Sequence, residues 1–407
     1  MQTAVWGVTP PLSIDSPTAN ELQCTNKLLD FLRNIANVYE KKEEIAHRKL
    51  VLSEIYQLAC EWVKQKTLNT NQCCLFTSGS YRLGISGPDA DVDALLVVPR
   101  EISREDFFAD WPKLLQERKE YVSKAIAVPA AFVPIIKCVW RGVDVDLLFA
   151  GMDRDAITKN LDLASEDDKA LEYVHDETSV RSLNGVRVAD RILRLVPSIP
   201  TFRAALRFIK FWAKRRAIYS NSLGYLGGIA WALLVARVCQ LYPNACAYTI
   251  AKQFFTVFSK WDWPSPVLLT APSNAAKRLN NGAALSMAQW DPSANYRDKS
   301  HLMPILTPAF PSQNCTYNVG QSTFKIIKSE LVRAATICNE IDFSFENLCS
   351  PSTFFKDYGH FLRIDAFFNK QKVEQTSNSS LEDAKMRELI AAGIMDSDKY
   401  MCEIGGE

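Results

Sequence analysis

Five short runs of β-forming residues crowd into one stretch of this chain: Cys74–Phe76, Ala94–Val98, Ala125–Val128, Val133–Trp140 and Val143–Phe149, separated by turn residues. Helical texture flanks that block on both sides. Glu21 to Lys66 reads as two helices, with Leu28, Phe31, Leu32 and Ile35 on one face and Leu50, Leu52, Ile55, Leu58 and Trp62 on the next. Helical patterns return from Thr201 to Phe258, and a last helix is expected over Thr323–Asn339. Ser265 to Gly282 reads as a loop, a Pro-studded stretch runs on through Pro311, and a small β/α remnant surrounds Phe354 to Phe368. A chain of 407 residues suits two or three domains of roughly 100 to 200 residues each. The expected fold class is α/β plus all-α.

With 47% hydrophobic and 23% charged residues the chain can bury large cores, which excludes disordered and low-complexity classes. The 47 basic and 46 acidic residues nearly cancel, so no net field advertises a polyanionic partner. Position matters more than the total. Between Asp190 and Asp262 stand eleven basic residues and no acid, balanced by the acidic stretch Asp162–Glu177 and by a tail from Gln371 with four basic and eight acidic residues. Thr201–Ala217 is predicted helical with Pro200 in its first turn, and at about 100° per residue Arg203, Arg207, Lys210 and Lys214 form one stripe. A solvated basic face is the ordinary meaning of such a stripe. Its lack of compensating acids favours a phosphate-bearing ligand, either a triphosphate or RNA.

The N-terminus has neither the basic nor the apolar part of a secretory signal. Leu223–Ala236, 14 residues without charge, is too short to span a bilayer and reads as a core helix, so no membrane association is expected. Eleven cysteines, with no Cys-x-x-Cys and no zinc-like grouping, imply reduced thiols in a nuclear or cytoplasmic compartment.

Chemistry concentrates in Leu75–Pro99. A strand ends at Gly79-Ser80, a turn follows, and Asp91-Val92-Asp93 opens an apolar strand. Strand alternation places Asp91 and Asp93 on one face. Carboxylates this close repel unless a cation neutralises them, and a hard divalent ion with oxygen ligands is the expected one. Asp144 and Asp146 likewise share a face of Val143–Phe149, and three carboxylates on adjacent strands would match a two-metal phosphoryl-transfer site. A lone Asp-x-Asp beside the turn signal Gly87-Pro88-Asp89 carries less weight, because acids cluster in turns and glycosyltransferases use the same pattern. Gly79 to Gly84 continues with Ile85-Ser86 and is no P-loop, and Ser80 lies outside G-x-S-x-G.

Gly79-Ser80-Tyr81-Arg82-Leu83-Gly84 and Ala90-Asp91-Val92-Asp93-Ala94-Leu95 resemble the nucleotidyltransferase superfamily in its eukaryotic poly(A) polymerase form. Further segments resemble that family in order: Thr9-Pro10-Pro11, Ser182-Leu183-Asn184-Gly185, Tyr219-Ser220-Asn221 and Phe258-Ser259-Lys260-Trp261. Trp290-Asp291-Pro292, His301-Leu302-Met303-Pro304 and Gln313-Asn314-Cys315-Thr316-Tyr317-Asn318-Val319 continue the series, so that the likeness covers roughly residues 7–370.

The resemblance implies a nucleotidyltransferase palm with a mixed sheet and helices over 61–160 and a helical middle domain over 161–345. The N-terminal helices of 1–60 would pack with the middle domain, a truncated RRM-like RNA-binding domain would occupy 346–370, and 371–407 would be a divergent acidic tail. It also implies template-independent addition of AMP from ATP to RNA 3′ ends. Asp91, Asp93 and Asp146 would hold two Mg2+ or Mn2+ ions that activate the 3′-hydroxyl and neutralise pyrophosphate. Gly79, Ser80, Lys210, Lys214, Tyr219 and Gly228 would meet the nucleotide, Asn184 would read the adenine edge, and Val133, Ile135 and Thr307 would flank the base. Lys137, Arg203 and Arg207 would approach RNA. The resemblance further implies a nuclear monomer acting with mRNA 3′-end processing factors. Ser78 stands where the family usually carries an aromatic, and Lys299-Ser300 replaces its Arg-Tyr. Two rival readings remain at this point: a uridylyltransferase of the same superfamily, and a non-catalytic paralogue that binds RNA or processing factors.

Overall fold

A computed structural model describes residues 6–67, 73–88, 90–154, 157–158, 161–273, 279, 282–357, 359–360, 362–364 and 402–404. Helix α1 (Ala19–Asn34) starts at a capping box, the Thr18 hydroxyl accepting the Glu21 N–H while the Glu21 carboxylate accepts the Thr18 N–H. Helix α2 (Lys42–Lys66) follows and buries Val51, Ile55, Leu58, Ala59, Trp62 and Val63. Leu50, expected on that face, is exposed and Val51 takes its place, because the face runs 51, 55, 58, 62 at helical spacing.

The five β-type runs become strands β1 (Cys74–Thr77), β2 (Val92–Pro99), β3 (Val122–Val128), β4 (Ile135–Trp140) and β5 (Val143–Met152). They form one sheet in the order β1-β2-β5-β4-β3. Only β2 and β5 run parallel; the other neighbouring pairs are antiparallel. A short helix α3 (Gly79–Leu83) lies between β1 and β2, and α4 (Arg104–Gln116) joins β2 to β3. Burial follows strand alternation. Val92, Ala94, Leu96 and Val98 of β2, with Val145, Leu147 and Phe149 of β5, pack against α2 and α4. The opposite face presents Leu95, Val97, Leu148, Ala150 and Met152 to Val180, Leu183 and Val186 of helix α5 (Glu177–Leu195).

The same α5 turns Val188, Ala189 and Ile192 into a second core. That core is built from α1, α6 (Ile199–Arg215), α7 (Gly228–Leu241), α8 (Ala247–Ser259) and, beyond the four-residue α9 (Tyr296–Lys299), α10 (Gln321–Ile337). Trp212 of α6 anchors it, edge-on to Trp231 at 5.9 Å and to Phe255 at 4.8 Å between ring centres. The N-terminal helices therefore divide between the two cores rather than both joining the helical body: α1 enters it, and α2 backs the sheet. The expected core helix at Leu223–Ala236 is α7, buried continuously from Ala230 to Leu241; no helix among the described residues is long and apolar enough to cross a membrane. Ten of the cysteines, Cys24 to Cys349, are free thiols. Past α11 (Phe345–Leu348) and α12 (Phe354–Asp357), a short strand β6 (Leu362–Ile364) pairs antiparallel with β7 (Cys402–Ile404). The rest of the expected partial RNA-binding domain and acidic tail lies outside the described residues.

One ionic knot ties α5 to the loops that flank it. Arg187 and Asp168, both fully buried, pair at 2.6 Å, and the same guanidinium donates to the Leu163 and Phe310 carbonyls at 3.1 and 2.5 Å and to the Asn184 amide oxygen at 2.6 Å. Removing Arg187 leaves the buried Asp168 carboxylate with the longer ionic contact to Arg191, at 3.4 Å, in place of a fully buried partner. Arg187→Met is expected to lower unfolding stability by about 3–5 kcal/mol, and adding Asp168→Leu should recover part of that loss in denaturant titrations.

Candidate active site

Sheet register brings the carboxylates together. Parallel pairing of β2 with β5 sets Asp93 opposite Asp146, and antiparallel pairing of β4 with β5 sets Lys137 opposite Asp146. Asp93 and Asp146 lie at the strand starts on the face that α5 covers farther along with Leu183 and Val186, so they look into a cleft instead of a core. Asp91 precedes the first ladder residue of β2 and joins them; the three residues offer oxygen atoms that all lie within 4.8 Å of one another.

Crowding shows in their ionisation. Burial, with the charges of Asp91 and Asp146, pushes Asp93 up to about 7. Burial likewise raises Asp146 to about 6, against the pull of Lys137, whose ammonium stands 3.8 Å from its carboxylate. Hard oxygen donors at this spacing, held at an electrostatic cost that a cation would relieve, fit divalent magnesium or manganese.

Helix α3 brings the second element. Gly79 has φ +57°, and a Cβ there would sit 2.2 Å from an Asp93 carboxylate oxygen, so only glycine lets the turn approach the acids. The third element is α6, which starts at the Ser198 cap with Pro200 in its first turn, two residues earlier than expected, and ends at Arg215. Its apolar side faces the core while Lys210 and Lys214 reach the cleft. Burial and the neighbouring Lys214 hold Lys210 down to about 8. The Lys214 ammonium lies 5.4 Å from the ring centre of Tyr219. Burial raises the Tyr219 phenol to about 12, and a Cβ on Gly228 would come within 2.9 Å of that hydroxyl, so glycine makes room for it.

These elements enclose a cavity of 640 Å³ that collects ten of the expected residues: Gly79, Ser80, Asp91, Asp93, Lys137, Asp146, Lys210, Lys214, Tyr219 and Gly228. The others fall elsewhere. Val133 and Ile135 pack against the core between the sheet and α5, and the Thr307 hydroxyl accepts the Gln313 N–H at 3.1 Å. Asn184 sits inside α5, its amide oxygen taken by Arg187. Arg203 and Arg207, expected near RNA, donate to the carbonyls of Leu83 and Gly84 at 2.7 and 2.5 Å. Ser78 packs beside Gly185 of α5, where a Cβ would approach it to 3.3 Å.

The cavity also holds Asp144, Lys124, Ile126 and Ile229, none of them assigned from sequence. Asp144 was legible through its two-residue spacing from Asp146. Lys124 was not, because an irregularity between Ser123 and Ile126 gives it φ +53° and breaks the alternation of β3.

Residues 7–196 match the poly(A) polymerase nucleotidyltransferase domain and residues 201–350 the poly(A) polymerase central domain. The chain belongs to the poly(A) polymerase family. It is 42% identical to the poly(A) polymerase of Schizosaccharomyces pombe, covering 96% of this chain and 69% of that one. It is 41% identical to that of Dictyostelium discoideum over 96% of this chain and 48% of that one. It is also 42% identical to nuclear poly(A) polymerase 1 of Arabidopsis thaliana over 88% and 50%. The chain thus spans about half the length of two of these family members. Solved structures of the Cid1 poly(U) polymerase bound to MgGTP and of Cid1 as an RNA terminal uridylyl transferase share its fold, with TM-scores of 0.53 and 0.51. Each is 14% identical to this poly(A) polymerase family chain and is covered over 99% of its length, against 81% and 82% of this chain.

Asp93→Asn separates stability from metal binding. The folded-state value near 7 lies above the ordinary 3.8, so the penalty is absent below about pH 4, grows as pH rises through 7 and is complete above it. In chelator at pH 8 the variant is expected to be more stable than the parent by about 1–3 kcal/mol, with the gain shrinking toward pH 5. Mn2+ should raise the parent's melting temperature and leave the variant's unchanged.

Proposed function

We propose that this chain is a polynucleotide adenylyltransferase that transfers AMP from ATP to the 3′-hydroxyl of RNA and releases pyrophosphate. The observation that carries this reading is one 640 Å³ cavity in which three crowded carboxylates face the lysines of α6, within a chain of the poly(A) polymerase family.

Asp91, Asp93 and Asp146 would hold Mg2+ or Mn2+. When bound, such ions polarise phosphate oxygens and make a 3′-hydroxyl acidic enough to attack. The chain's own groups do the positioning. Lys210 and Lys214 meet the triphosphate from the α6 side, and the Tyr219 phenol, kept protonated by burial, donates a hydrogen bond to it. The Gly79-Ser80 turn would close on the phosphates from the palm side, its missing side chain letting it approach Asp93. Lys137 and Lys124 supply further positive charge along β4 and β3, near the entering RNA backbone. The Asn184 oxygen is committed to Arg187, so its NH2 is the end that would meet a purine ring nitrogen. Val133, Ile135 and Thr307 would form the apolar and polar surroundings of that base. Nuclear residence, with RNA 3′ ends and processing factors as partners, follows the same reading.

Primer extension of a short oligoadenylate with each of the four nucleotides, in Mg2+ and in Mn2+, tests it. ATP is expected to be preferred; preferred use of UTP would favour the uridylyltransferase, and no incorporation by a folded, metal-binding chain would favour the binding protein. Asp93→Ala should abolish incorporation. Lys210→Ala should raise the KM for ATP about tenfold, the cost of one charge-assisted contact. Because Lys210 titrates near 8, the parent's KM for ATP should climb above that pH, and Lys210→Arg should flatten the climb.

A further inference from the structure

Asp93 and Asp146 owe their place to the sheet, but Asp91 does not. The ladder of β2 begins at Val92, paired with Val145 of β5, so Asp91 hangs on the end of the loop that leaves α3. What fixes that loop is a set of arginines from outside the palm sheet. Arg203 and Arg207 of α6 take the carbonyls of Leu83 and Gly84. Arg48 of α2, itself 5% exposed, takes three more: Gly87 at 3.4 Å, Pro88 at 2.8 Å, and Ala90, the residue immediately before Asp91. The Arg48 Nε pairs with Glu40 at 2.7 Å, and Glu40 in turn accepts the Ser86 hydroxyl at 2.7 Å, closing the grip on the loop.

A buried ion pair is weak evidence of stabilisation, since desolvation offsets most of its attraction. Here the guanidinium directs its donors to three carbonyls of one connection, and that connection carries the carboxylate the sheet does not hold. We propose that Arg48 is a positioning residue for the metal site: it sets cation affinity by fixing the backbone from which Asp91 projects. This deepens the adenylyltransferase reading and rests on it for the identity of the ion's task. The planar fork is essential to the role. A lysine preserves the charge beside Glu40 but presents one ammonium and cannot span three carbonyls from a fixed point.

The test uses the full chain and Mn2+ alone, with free Mn2+ counted by its electron paramagnetic resonance signal, in the parent, Arg48→Lys and Arg48→Met/Glu40→Gln. The double variant avoids leaving Glu40 as an unpaired buried charge. Both variants are expected to melt within a few degrees of the parent. Their Mn2+ dissociation constants should rise by about 10-fold or more, the scale on which groups that orient metal ligands act. In primer extension the half-saturating Mn2+ concentration should rise in step, while kcat at saturating Mn2+ returns close to the parent's. Parent-like Mn2+ affinity in either folded variant overturns the proposal. So does failure of both to fold, which would make the pair a stability element, and so does a parent chain that binds no Mn2+. A parent that binds Mn2+ but extends no RNA defeats the adenylyltransferase reading alone, and the Mn2+ titration still decides the part played by Arg48.

Discussion

Helix α5 has two buried faces, and most of the molecule is arranged around that fact. Its first half lies on the sheet through Val180, Leu183 and Val186; its second half enters the helical core through Val188, Ala189 and Ile192. One rigid rod shared by two cores fixes the separation between them. The uncovered ends of β2 and β5 then open into a cleft of set width, because α5 shields Leu95 and Leu148 but not Asp93 and Asp146. The Arg187–Asp168 pair clamps the loops on either side of the same rod, so the cleft inherits its dimensions from packing remote from the chemistry.

The cleft draws charge from both layers. Its acids come from the sheet side together with Lys124 and Lys137, and Lys210 and Lys214 come from the helical body that faces it. A formal total of +1 conceals this, since the field a ligand meets depends on where charges sit and not on their sum. The α6 stripe has two jobs along its length. Arg203 and Arg207 hold the carbonyls of the turn after α3, and one turn farther on Lys210 and Lys214 face the cavity. A single helix thus both secures the turn after α3 and supplies positive charge to the cavity beside it.

Much of this was legible from residue order, for reasons that differ by element. Alternation was enough to pair Asp144 with Asp146 in β5, and it grouped Asp91 with Asp93 although Asp91 stands just ahead of the β2 ladder; the 3.6-residue period placed Arg203, Arg207, Lys210 and Lys214 on one stripe. What periodicity could not supply was the partner of each side chain. The arginines of the stripe look alike in sequence, yet carbonyl groups 120 or more residues away claim two of them. Asn184-Gly185 has the composition of a turn but lies within α5, where packing against Ser78 and the bond to Arg187 override local preference. Lys124 escaped notice because backbone irregularity, which leaves no periodic trace, turned it into the cavity.

That irregularity has a bearing on solubility. Strand β3 is the outer edge of the sheet, and five consecutive residues, Ser123 through Ala127, are exposed along it, Ile126 among them. An edge this open is a template for pairing with a strand from another chain. The left-handed turn at Lys124 interrupts the row of backbone donors and acceptors midway and plants a positive charge beside the break, two devices that discourage intermolecular sheet growth. The sheet can therefore leave this rim bare without offering an unbroken template for a strand of another chain.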